Sequence, residues 1–303
     1  MYSIILPITK YIKLFDKKKS SNKEHNNFTR FFGITWYFYL RNFNWKDVDT
    51  IYFVIPGVYE EEFKSMFDKV EKPRVETRFV IMKEEDILGI EGETIGNTRK
   101  QMMIKLLISY YISTKIYLTL DDDIMPLNRF EEKDFYISNK LGLQSNSHLA
   151  HEAWWRGSYH MLGLEYNPKR LERLASEGLL MDVTPEMLHT KSVRSLCDYI
   201  KSKWGNKYIE EFVLKNVEHR WSEYTLYWIY ISEIKKNMRR LYIGKSNIPL
   251  NNAIWDISSD KKILEKYIKN NLCKDRKSLF ATIPSNIQRN RVSLIMKYLE
   301  NNI

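Results

Sequence analysis

The chain has 303 residues, 44% hydrophobic and 14% aromatic, so it can bury about three-quarters of its unfolded surface without disulfide staples. That composition excludes a disordered chain, and 28% charged residues with a mean hydropathy of −0.46 exclude an integral membrane bundle. Lys and Arg number 48 against 38 Asp and Glu, a net charge of +10 that calls for an anionic partner: nucleic acid, a membrane surface or a phosphorylated small molecule.

The N-terminal stretch MYSIILPITKYIKLFDKKK sets its apolar run before its positive charges and has no small-residue cleavage site, the reverse of a secretory leader. A soluble or peripheral cytoplasmic protein is the expectation, in a bacterial cell or a virus-infected host. Ser3 to Ile8 reads as a buried strand, Asp16 to Asn27 as an exposed loop, and Thr50 to Ile55 as a second strand closed by Pro56-Gly57. Glu60 to Val70 follows as a helix and Val75 to Met82 as a third strand. From Thr98 to Ser113 the spacing predicts a helix, with Thr98 and Gln101 placed for a capping box and Met103, Leu106, Leu107 and Tyr110 on one face. Lys115 to Leu120 is a fourth strand that runs into Asp121-Asp122-Asp123. Strand and helix in alternation predict an α/β domain with a mainly parallel central sheet flanked by helices, whose sites collect at the carboxyl ends of the strands.

The second half is more helical and more aromatic. Thr184-Pro185-Glu186 carries a helix-start signature, Val193, Leu196, Cys197 and Ile200 mark an amphipathic helix reaching Trp204, and Tyr224 to Ile234 is apolar nearly all round. Cys197 and Cys273 lie far apart with no partner motif, which excludes a disulfide framework or a cysteine-based zinc site. Residues 261 to 303 hold ten Lys and Arg against three carboxylates, so +7 of the net charge falls in 261–303, the main part of a basic helical appendage expected over 256–303.

The sharpest chemical signal is LTLDDDIMPL. Three adjacent carboxylates at the end of a buried strand repel one another unless a cation or hydrogen bonds compensate them. Oxygen-rich sites of this kind suit Mg²⁺ or Mn²⁺, with water and substrate phosphates completing the shell. In an extended backbone Asp121 and Asp123 point to the same side. The alternative is a polar turn in which one Asp caps the next stretch of chain.

These residues resemble a family. Lys105-Leu106 on a helix, a strand, and Asp121-x-Asp123 are similar to the core of GT-A-type, nucleotide-sugar-dependent glycosyltransferases, including the glycogenin-like group. A set of bacterial and viral glycosyltransferases is more similar still, through a Gln-x-x-x-Lys-Leu helix (Gln101, Lys105, Leu106), the Asp-x-Asp, a Val-Thr-Pro segment (Val183, Thr184, Pro185) and a Glu-Tyr-x-x-Tyr helix (Glu223, Tyr224, Tyr227). The resemblance covers roughly residues 1–255, with 1–125 the nucleotide-sugar half and 126–255 the acceptor half. It implies a transferase that moves a sugar from a UDP- or GDP-linked donor to a glycan or glycoconjugate. Asp121 and Asp123 would hold the metal, with Asp121, Asp122, Lys105, Arg99 and Gln101 toward the donor and Leu6, Pro7 and Ile8 around its nucleobase and ribose. The glycogenin-like group takes a late His as a further ligand, yet all six His here precede residue 220, leaving Asn251, Asn252, Asp256 or water for that role.

An inverting transfer also needs a base for the acceptor hydroxyl. Glu223 is the candidate, since it opens a buried aromatic helix; its alternative is a first-turn Glu favoured by the helix dipole. His189 is a further candidate catalytic residue, or a structural histidine. Trp154, Trp155 and Arg156 suit an acceptor pocket, or the tryptophans are core. Two other readings stand beside this one: a transferase acting on modified DNA bases, and a non-enzymatic basic nucleic-acid-binding protein, although no zinc finger, RNA-recognition or helix-turn-helix signature is present. The basic segment 261–303 would pack on the domain or rest on an anionic surface.

Overall fold

A computed structural model describes residues 1–8, 11–12, 25–89, 97–145, 151–205, 220–244, 251–253 and 279–282. The elements that position the site run in chain order as follows. Strand β1 (Tyr2–Pro7) precedes α1, a helical run of Asn27–Arg30, a π-turn Phe31–Thr35 and Trp36–Asn42. Then come β2 (Val48–Ile55), α2 (Glu60–Asp68), β3 (Arg78–Lys83), α3 (Asn97–Leu107), β4 (Ile116–Thr119) and β5 (Ile124–Pro126). A small hairpin, β6 (Tyr136–Ile137) and β7 (Lys140–Gly142), leads to α4 (Glu152–Leu162) and α5 (Pro168–Ser176). Strand β8 (Glu186–His189), α6 (Thr190–Trp204), α7 (Glu223–Ile229, continued by a π-turn Tyr230–Ile234) and α8 (Met238–Leu241) follow. The last described strands are β9 (Tyr242–Ile243), β10 (Asn251–Ala253) and β11 (Phe280–Thr282).

The central sheet has the order β8-β4-β1-β2-β3, parallel except for β8, which runs antiparallel to β4. The chain builds outward from β1 through β2 to β3, then returns to the other side with β4. The order therefore reverses between β1 and β4, and a crevice at the carboxyl ends of these two strands is where such sheets place a ligand. Both strands are buried end to end, which suits their continuous apolar runs. This is the mixed α/β architecture expected from the alternating pattern.

Several local readings change. Helix α1 was invisible to periodicity because Phe28, Phe31, Trp36, Phe38 and Tyr39 point in most directions; one contiguous aromatic cluster with Phe53, Phe63 and Phe67 buries all of them but Phe38, which is buried outside it. Thr98 lies inside α3, which begins at Asn97, so it does not cap the helix. Beyond Leu107 the chain tightens into a 3₁₀ turn over Ile108–Tyr110, which leaves Tyr110 45% exposed with its hydroxyl donating to Asp198 at 2.6 Å, while Met103, Leu106 and Leu107 are buried as expected.

Thr184-Pro185 does not start a helix. Its peptide bond is cis, and Glu186–His189 instead pair with Thr119–Ile116 as a sheet-edge strand, so the helix opens only at Thr190. Thr184 serves the sheet by donating its hydroxyl to the Thr119 carbonyl at 3.2 Å. Within the segment expected as a helical appendage, Phe280–Thr282 form a buried strand between β10 and β5; the rest of 256–303 and most of the loop expected over 16–27 lie outside the described residues. No described helix is long and apolar enough to cross a membrane.

Candidate active site

Strand β4 ends at Thr119, and the chain then turns instead of staying extended: the Ile124 N–H donates to the Asp121 carbonyl at 3.1 Å. Helix α1 braces this turn, with Thr35 Oγ1 donating to the Asp122 carbonyl (3.2 Å) and Asn42 Nδ2 to the Pro126 carbonyl (2.7 Å). The turn sends the three carboxylates to different partners. Asp121 Oδ1 lies 2.7 Å from Lys105 Nζ, and Asp122 Oδ1 lies 3.1 Å from a guanidinium nitrogen of Arg30. Asp123, partly exposed, has no ion-pair partner among the described residues.

Lys105 is the centre of the arrangement. It is 3% exposed, and its ammonium contacts both Asp121 and Glu223, the latter at 3.0 Å. Burial opposes the charge, but the two carboxylates outweigh it and hold the lysine well above its usual range, so it stays protonated. The Tyr224 ring lies 5.3 Å from the same ammonium. Thr119 Oγ1 donates to the Glu186 carbonyl at 3.0 Å, which leaves it to accept from the Tyr224 hydroxyl at 2.9 Å. The ends of α3, β4, β8 and α7 are thus locked into one network.

Four carboxylates, Asp121, Asp122, Asp123 and Glu223, face two cations, Arg30 and Lys105, a formal excess of two negative charges. Burial, with Asp122 and Asp121 beside it, pushes the Asp123 carboxyl up to about 8; Asp122 is also raised, mainly by burial and against the pull of Arg30. Buried polar atoms with neither a hydrogen bond nor an ion-pair contact collect around the turn: Arg30 Nε and Nη1, Asp122 Oδ2 and the Tyr39 hydroxyl. Such atoms are rare in protein interiors and cluster where a ligand completes the set. The donor set fits a hard divalent cation held by one or two carboxylates. Among the described residues no three acidic, His or Cys side chains converge on one point, so phosphate and water oxygens would fill the remaining positions.

The structure brings Lys105, Asp121 and Glu223 into contact, and Asp122 and Asp123 beside them. Leu6 and Pro7 end β1 and Ile8 follows, its N–H donating to the Val54 carbonyl of β2 at 2.8 Å, with the Leu6 and Ile8 side chains packed in the core. Arg99 and Gln101 are half-buried near the start of α3. Trp155 is a core residue, 2% exposed; Trp154 stacks on His151 at 4.3 Å, and Arg156 is exposed and paired with Glu152 at 2.7 Å. His189 stands at the opposite end of β4 from Asp121, paired in register with Ile116. Asn251 and Asn252 lie in β10, whose sheet includes β5 directly after Asp123; Asp256 lies outside the described residues. Sequence reasoning missed Arg30, Tyr39, Thr119 and Glu186. The signal for Arg30 was a lone cation in the apolar run FTRFFGITWYFYL, which burial makes costly without a carboxylate partner.

With this geometry in hand, the chain is a mixed α/β protein with a carboxylate-rich turn at the point where strand order reverses. It belongs to DUF6492, a family of unknown function, whose model matches residues 2–302. No curated protein matches it. Among solved structures it is similar to mouse xyloside xylosyltransferase 1 in its apo form, with a TM-score of 0.48 and 8% identity over 95% of this chain and 99% of that one. It is also similar to the galactosyltransferase LgtC in complex with donor and acceptor sugar analogs, with a TM-score of 0.49 and 11% identity over 99% and 96% of the two chains.

Proposed function

We propose that this chain is a glycosyltransferase that moves a sugar from a nucleoside diphosphate donor, UDP- or GDP-linked, to a glycan or glycoconjugate acceptor. The observation that carries the reading is the excess of two negative charges around Asp121–Asp123 at the strand-order reversal, a match for one divalent cation. The Lys-Leu helix, Asp-x-Asp and Glu-Tyr-x-x-Tyr order supports it, because the folded chain draws Lys105, Asp121 and Glu223 from those motifs into direct contact.

In this reading Asp121 and Asp123 hold Mn²⁺ or Mg²⁺, which when bound would neutralise charge developing on the leaving diphosphate. Arg30 fixes Asp122 and keeps spare N–H donors for a phosphate oxygen. Lys105 screens Asp121. Glu223, buried and spent on Lys105, acts as a positioning residue for that lysine, which replaces the base role its helix position first suggested. The thermal melt of the whole protein tests the reading. UDP or GDP with Mn²⁺ raises the melting temperature, and Asp123→Ala abolishes the shift; no shift with any nucleoside diphosphate overturns it.

A further inference from the structure

A cavity of about 450 Å³ opens at the other end of β4, five residues back along the strand from Asp121 and so roughly 16 Å away. Its wall is assembled from the start of β4, the β6–β7 hairpin, the first turns of α6 and the segment around α8. Lys115, Lys191, Lys235 and Arg240 line it together with His189, and no Asp or Glu does. None of these four cations has a carboxylate partner among the described residues, whereas Lys64, Lys83, Lys100, Arg78 and Arg156 elsewhere in the molecule do. Tyr136 and Leu141 supply an apolar side.

We propose that this cavity is a second ligand site, separate from the carboxylate turn, for a phosphate ester bearing at least two negative charges. Four uncompensated cations around one concavity repel each other, and an anion relieves that repulsion. The first turn of α6, a 15-residue helix, adds the positive end of its dipole beside Lys191 and Ser192. The volume suits a small phosphorylated molecule and not a nucleic-acid duplex, which needs a basic stripe. His189 reports the local field. Its Nδ1 lies 2.9 Å from Ser192 Oγ, and burial followed by Lys115, Lys191 and Arg240 holds its imidazole below the usual range. A bound phosphate reverses that field and raises the imidazole.

The experiment titrates the full chain, in EDTA to silence the carboxylate turn, with inorganic pyrophosphate and with uridine monophosphate, and in a separate arm with vesicles containing phosphatidic acid. Calorimetry gives the affinity, and the NMR titration of His189, assigned with His189→Gln, gives the local response. Binding of a soluble probe raises the His189 midpoint, and Lys191→Glu or Arg240→Glu each weakens it about tenfold or more, the loss of one charged hydrogen bond. Vesicle binding alone, lost in the same variants, assigns the phosphate to a lipid headgroup. Absence of binding in every arm, or binding that survives both charge reversals, overturns the site. Asp123→Ala leaves this binding intact, so its outcome is independent of the transferase reading.

Discussion

Glu186 is 1% exposed, and burial, reinforced by Asp182, pushes its carboxyl well above the ordinary range. The folded chain therefore holds a proton that the unfolded chain releases near pH 4.5, and stability from this group is full below that value and lost as pH rises toward the folded value. Glu186→Gln removes the term. The wild-type melting curve should fall relative to the variant's as pH rises above 4.5, by up to about 1.4 kcal/mol per pH unit; parallel curves would show that the carboxyl titrates normally. A second residue-scale prediction separates the roles of Glu223. A glutamine still accepts from Lys105, so Glu223→Gln keeps the pH profile of donor hydrolysis with a modest rate loss, and loss of the acidic limb would restore the base role. Neither residue's surroundings were legible in the sequence: Lys105 and Glu223 stand 118 positions apart, and a single sequence carries no trace of a contact at that separation.

At the scale of elements, the parallel strands were readable because burial on both faces writes an uninterrupted apolar run, and α6 because one buried face writes a 3.6-residue period. Helix α1 and strand β8 were not. The first is buried on most sides and so has no period, and the second is a four-residue sheet edge whose Thr-Pro prefix also fits a helix start. Close packing between α4 and the chain entering α7 depends on Gly157, where an added Cβ would sit 1.8 Å from the Arg220 carbonyl oxygen. Gly→Ala inside a helix ordinarily gains about 1 kcal/mol. Here overpacking wins, and Gly157→Ala should cost about 1–3 kcal/mol, read as a lowered melting temperature; an unchanged or raised value would mean the two segments part readily.

For the whole molecule, the described part of the segment expected as an appendage is tied to the domain through the strand Phe280–Thr282. Phe280 is fully buried against Phe130, with ring centroids 5.1 Å apart, and Thr282 pairs with Ile124, the residue after Asp123. Removing residues 279–303 should lower the melting temperature and erase the response to nucleoside diphosphate with Mn²⁺. A truncated chain that melts like the full one and keeps that response would restore the appendage as a separate unit. The charge asymmetry of the sequence was real, but it did not reveal that part of this basic stretch is structural.

That late strand also sets an order of events during synthesis. Pro126 and its partner Phe280 are 154 residues apart, about 8–30 s of elongation at roughly 5–20 residues per second. Through that interval the nascent chain displays the carboxylate turn beside a strand edge with no neighbour, the kind of surface that other chains pair with. Completion of the turn's surroundings therefore waits for Phe280–Thr282 to be made, and expression at a slower elongation rate lengthens its exposure instead of assisting it.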